Sequence, residues 1–146
     1  MKADPKTEAE VMDFLNRFAQ AYKERKIDDL MALFAPDPDI VLIGTGMDGK
    51  MVGTDEIKAR AERDWAQSEA SSFEFGWTSV SKAGSVALVA SDVTARAKIA
   101  GQEAVFPWRL TAALDNREGR WLVCQLHLSA PASGQAEGKS WPTQQG

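Results

Sequence analysis

Apolar positions in this 146-residue chain follow two periods, and each period predicts a different kind of element. Val11, Phe14, Leu15, Phe18, Ala21 and Tyr22 recur at the spacing that lines one face of a helix. That helix opens as DPKTEAE: Asp4 can cap it with Pro5 in the first turn, or Thr7 and Glu10 can form a capping box. A second, short helix is predicted from about Asp28 to Phe34, ended by Pro36 and Pro38. The segment IVLIG reads as a brief strand, and TGMDGKMVG as a loop or hairpin rich in turn residues. Thr54 is expected to cap a third helix, with Asp55 and Glu56 where the helix dipole favours them, and with Ile57, Ala61, Trp65 and Ser68 on one face.

From Phe73 to Ser129 the period changes to two, the signature of strands with one apolar face. A three-residue turn at Lys82–Gly84 would set Trp77 opposite Val89 and Phe75 opposite Ser91. A turn at Ala100–Gly101 would set Val93 opposite Trp108, Ala97 opposite Ala104, Lys98 opposite Glu103 and Asp92 opposite Arg109. A turn around DNREG would pair Leu114 with Leu122 and Trp108 with Leu128, which also places Arg109 opposite His127. Together these registers gather Phe73, Phe75, Trp77, Val89, Ser91, Val93, Phe106, Trp108, Leu110, Leu114, Leu122, Cys124, Leu126 and Leu128 on one face. They turn Trp121, Val123, Thr111 and the row Asp92–Arg109–His127 to the other. After Pro131 the chain is small and polar. Residues 1–131 are therefore expected to form one domain and 132–146 a loose tail with Trp141 as its bulky anchor.

Composition narrows the function classes. A net charge of −4 without a basic run argues against a nucleic-acid partner. No apolar run approaches a membrane span, and no apolar leader opens the chain, so a cytoplasmic protein is expected. One histidine and one cysteine leave no His/Cys metal site and no internal disulfide, and nothing calls for a cofactor.

DDLMALFAPDPDIVLIGTG, VGTDEIKARAERDW and FPWRLTAALDNREGRWLVCQLHLSAP resemble the SnoaL-like branch of the nuclear transport factor 2-like superfamily. The last segment is also similar to the association domain of calcium/calmodulin-dependent kinase. The resemblance implies a cone-shaped α+β fold, three helices on a curved antiparallel sheet, and a pocket between them. It does not carry a catalytic set. The ketosteroid isomerases of this fold have an aspartate at the end of the first strand, where this chain has Ile43, Gly44 and Thr45. The polyketide cyclases use an Asp or His pair late in the sheet, where the expected inner positions are Leu, Ala, Trp and Cys.

The expected pocket wall is therefore apolar, with Trp77 and Trp108 as aromatic surface and Ser91 and Cys124 as its polar groups. Any acid or base must come from the helices or first loop: Tyr22, Asp39, Arg60 or Asp64. Arg60 and Asp64, one turn apart, read equally as a surface ion pair. The expected ligand site is Trp77, Trp108, Ser91, Tyr22 and Asp64, taking a small apolar molecule. The protein is then either an isomerase, cyclase or hydratase on a hydrophobic cyclic substrate, or a non-catalytic binding or assembly domain. A homodimer through the outer sheet face, including Asp92, Arg109 and His127, is expected in either case.

Overall fold

The computed structural model describes residues 1–143. Helix α1 spans Pro5–Lys23 and α2 Ile27–Met31; strands β1 (Val41–Ile43) and β2 (Lys50–Val52) precede α3 (Thr54–Ala66). Strands β3 (Ala70–Ala83), β4 (Val86–Ile99), β5 (Gln102–Arg117) and β6 (Arg120–Ser129) complete a six-stranded sheet of order β2-β1-β6-β5-β4-β3. All pairings are antiparallel except β1 with β6, which is parallel. The fold is α+β, with helices packed on one face of a curved sheet. Among the described residues no helix is long and apolar enough to cross a membrane.

Asp4 wins the competition to cap α1, accepting from the Thr7 amide at 2.7 Å. Glu10 is thereby released from a capping box, and its carboxylate accepts from Trp121 Nε1 at 2.9 Å. The whole predicted stripe from Val11 to Tyr22 is buried. Helix α2 stops three residues early, because Phe34 joins the sheet as a bridge to Val123. Thr54 is the first residue of α3 rather than its cap: Gly53 holds the cap position at φ 85°, a conformation that favours glycine. Phe14, Val11, Ile40, Leu114 and Val123 form the most deeply buried part of the core.

The β4–β5 register is the expected one, including Val93 opposite Trp108, Asp92 opposite Arg109 and Lys98 opposite Glu103. The two flanking registers differ, and each difference ends in a bulge. The β3–β4 turn holds two residues, Gly84 and Ser85, with Gly84 at φ 61° as a type II′ turn requires. Val80, not Trp77, therefore faces Val89. A register shift between Phe75 and Thr78 then restores Phe75 to the inner face, opposite Val93. Trp77 sits in that irregularity and is turned out, 65% exposed.

At the other hairpin, Glu118 and Gly119 both have positive φ and make a two-residue turn, closing on Arg117 opposite Arg120. A bulge opposite Ala113/Leu114 leaves Cys124 unpaired. Below it the facing reverses: Trp121 and Val123, expected outside, are buried in the core, and Leu114 faces Val123 rather than Leu122. Above it His127 is exposed, as expected, but lies opposite Thr111 and Ile43. Arg109 faces Ser129, and its Nη2 donates to the Ala130 carbonyl at 3.4 Å, so the Asp92–Arg109 pair does not extend to His127. Residues 130–143 form turns without helix or strand, and Trp141 is 83% exposed rather than an anchor. The last three positions of the predicted tail lie outside the described residues.

Candidate functional site

A cavity of about 360 Å³ lies where the last turn of α1, the C-terminal half of α3 and the β1–β2 loop meet the inner face of β3–β6. Its aromatic wall is a connected series. Tyr22 stacks on Phe73 with ring centroids 4.5 Å apart, Phe73 meets Trp108 at 6.1 Å, and Trp108 stacks on Phe106 at 5.8 Å. Leu42, Met51, Ile99 and Leu128 add aliphatic surface. The series exists because Phe73 and the neighbouring β4–β5 positions share one face of the pleat.

The polar groups come mainly from α3 and the ends of neighbouring elements. Tyr22 Oη donates to Asp64 Oδ2 at 3.0 Å. Both groups are shifted toward their neutral forms: burial first, then the adjacent Asp64, pushes the Tyr22 phenol well above its usual range, and burial pushes the Asp64 carboxyl up. For Asp64 that push is opposed by the Tyr22 hydrogen bond and by Arg60 and Arg63. Arg60 and Arg63 lean instead toward Asp48 in the β1–β2 loop, so the expected Arg60–Asp64 surface pair is replaced by Tyr22–Asp64 inside and Arg63–Asp48 outside. Ser71 Oγ lines the same wall, buried with no hydrogen-bond partner among the described residues.

A profile of the SnoaL-like domain matches residues 11–133. The chain belongs to the SnoaL-like domain family. No curated protein sequence matches this SnoaL-like chain. Several solved structures share its fold. A nuclear transport factor 2-like superfamily protein from Salmonella enterica serovar Typhimurium is 16% identical, with a TM-score of 0.82 covering 95% of this chain and 100% of that one. A Xanthomonas campestris protein, provisionally described as a calcium/calmodulin-dependent protein kinase II association domain, is 20% identical at TM-score 0.77, covering 90% and 95%. A Novosphingobium aromaticivorans protein, provisionally described as a scytalone dehydratase, is 14% identical at TM-score 0.75, covering 93% and 92%. At these identities the likeness establishes the fold.

Of the five residues expected at the ligand site, the SnoaL-like cavity brings together Tyr22, Asp64 and Trp108. Trp77 does not reach it, because the β3 irregularity turns it out. Ser91 is inner-facing but buried, and its hydroxyl is occupied by Thr78 Oγ1 at 2.8 Å and the Asp92 carbonyl at 3.0 Å. Cys124, placed inside by the sequence pattern, sits on the bulge beyond the cavity; burial raises its thiol pKa, which keeps it protonated and unreactive. Asp39 is exposed and off the cavity. Among the lining residues that sequence reasoning missed are Arg63, Asp48, Arg96 and Ser71. Arg63 and Asp48 lie in segments read only as helix and turn, and their meeting depends on the β1–β2 loop folding back over α3.

Proposed function

We propose that this SnoaL-like protein binds a small, mostly apolar ring compound in the cavity and acts on it by proton transfer, as an isomerase, cyclase or hydratase does. The observation that carries this reading is the Tyr22–Asp64 hydrogen bond, set between an aromatic wall and a basic helix edge. A general base needs a carboxylate within reach of the substrate and a pKa drawn toward neutrality; burial moves Asp64 in that direction. In its ionised form Asp64 takes a proton from an acidic C–H of the bound ring and returns it at a second carbon, or to a departing hydroxyl. Tyr22 fixes the carboxylate's orientation, and the ring is held by burial against Phe73 and Trp108, on the order of 25 cal/mol per Å² of apolar surface. Fluorescence titration with neutral bicyclic ring compounds tests the binding step: Trp108→Ala should weaken binding about tenfold and Arg109→Ala, on the opposite sheet face, should not. Equal losses in both variants, or no binding to wild type, would contradict it.

A homodimer through the outer sheet face belongs to the same reading. Its support is a trough of about 430 Å³ on that face, lined by Ile43, Ser79, Leu88, Thr111, Ala113 and His127, with Leu88 43% exposed. The adjacent Asp92–Arg109 pair offers a second copy one charge of each sign, which a two-fold axis would match reciprocally. Trp121 and Val123 take no part, being buried. Light scattering at micromolar concentration should give twice the chain mass, and Leu88→Arg should give the monomer; a monomeric wild type contradicts the dimer and leaves the cavity reading untouched.

A further inference from the structure

Arg60 is the most buried of the three arginines that line the cavity, and it has donors to spare. It leaves α3 one turn before Asp64, lines the cavity, and has a side chain only 20% exposed. Among the described residues its hydrogen bonding is limited to Nη2 donating to the Asp48 backbone carbonyl at 2.5 Å. The Asp48 carboxylate stays 3.6 Å from Arg60 and is held at 2.7 Å by Arg63. Asp64, one turn on, has Oδ2 turned to Tyr22. A guanidinium carries five N–H donors in a planar fork, so four are left, and the second Nη2–H can pair with the neighbouring Nε–H or Nη1–H on one carboxylate. Charge points the same way. The lining holds Arg60, Arg63 and Arg96 against Asp48 and Asp64; Arg96 has Glu74 at 3.9 Å, and Arg60 shares Asp48 with Arg63, which holds it more closely. Across from that edge the wall is Phe73, Trp108 and Phe106.

We propose that the ligand is a hydrophobic ring bearing one carboxylate, whose two oxygens Arg60 holds in a bidentate fork while the ring lies on the Phe73–Trp108–Phe106 wall. This rests on the cavity being the ligand site and adds the substrate's chemical class to it. A monoanion matches the single charge of Arg60; a planar carboxylate fits the planar fork of one arginine, which would leave a phosphate dianion under-neutralised. Arg60 then becomes the residue that sets specificity between acids and their neutral isosteres.

Calorimetric titration of the intact protein with 2-naphthoate and its neutral isostere 2-naphthamide tests this. Wild type should bind the acid at least tenfold more tightly, the preference should shrink as salt is raised, and Arg60→Gln should level the two, whereas Arg109→Gln should leave the preference intact. Arg60→Lys, which keeps the charge and loses the fork, should retain part of the preference; it stands in for Arg60→Gln if that variant melts early. Equal wild-type binding of acid and amide, or an unchanged preference in the Arg60 variants, overturns the carboxylate inference and leaves the ring-binding reading standing. Binding of neither compound overturns both.

Discussion

The two ends of helix α1 meet the same sheet on different terms. Along its first half, as far as its midpoint, Val11 and Phe14 are almost wholly buried, in one core cluster with Leu114 and Val123. Its last turn carries Tyr22, also buried as a residue, but with a hydroxyl committed to Asp64 and a ring lining a 360 Å³ cavity. At the closed end the polar contact is Trp121 Nε1 with Glu10, bridging sheet and helix. At the open end polar atoms accumulate: Asp64, Arg60 and the Ser71 hydroxyl. One helix thus packs apolar side chains over one part of its length and gathers polar groups beside a cavity at its end. Close packing without polar atoms is what a core needs; buried polar atoms with a cavity beside them are what a site needs.

Mutations can break this contrast. The largest effect is expected at the closed end. Leu114→Ala should cost about 3 kcal/mol and lower Tm by roughly 10 °C, with ligand affinity unchanged at temperatures where the protein is folded. Denaturant melts and a binding titration on the same sample check both halves of that statement. Trp108→Ala should show the reverse, about tenfold weaker binding of ring compounds with a smaller loss of Tm, because Trp108 is only partly buried.

A subtler effect follows from Asp64. Its pKa in the folded protein lies above the usual carboxylate value. Over the interval between the two, the folded protein keeps a proton that the unfolded chain has released. The associated stability is present at lower pH and is lost as pH rises through the folded-state pKa. Asp64→Asn should therefore gain Tm relative to wild type as pH increases across that interval, and the difference should level off above it. Tyr22 from α1 and Arg60 and Arg63 from α3 are the titratable and charged groups acting on Asp64. Measuring Tm against pH for both proteins decides it; parallel curves would remove the case for a perturbed carboxyl. The smallest effect is expected at His127, exposed on the far face of the sheet. His127→Gln should change ligand affinity by less than threefold while the proposed dimer dissociates at higher protein concentration than in wild type, as sedimentation would show.

The sequence was most readable where local rules meet no competition. The α1 stripe appears in full, and so does the β4–β5 ladder, because Ala100–Gly101 makes a two-residue turn and no bulge interrupts the pairing. It was least readable where one residue is left out of step. A bulge moves every side chain beyond it to the other face, and nothing in the alternation of RWLVCQLHLS marks Cys124 as the unpaired residue. The same reason sends Trp77 outward and Trp121 inward, opposite to the simple alternation. In the site, Tyr22 and Asp64 were identifiable as titratable groups on helices, but their contact spans 42 residues and is set by how α3 lies across the end of α1. Arg60's partner could not be read from spacing either, since Asp48 reaches it from a loop.

The central claim is that the open end of this fold is the ligand site and the closed end is not. The five tryptophans, at 65, 77, 108, 121 and 141, report on different parts of the chain. Incorporating 5-fluorotryptophan and assigning each fluorine resonance by single Trp→Phe variants turns them into five local probes. On titration with 2-naphthoate, the Trp108 resonance should move most, Trp65 less through its contact with Tyr22, and Trp121, Trp77 and Trp141 should stay in place. A shift at Trp121 or Trp77 with Trp108 unmoved would place the ligand elsewhere and contradict the account.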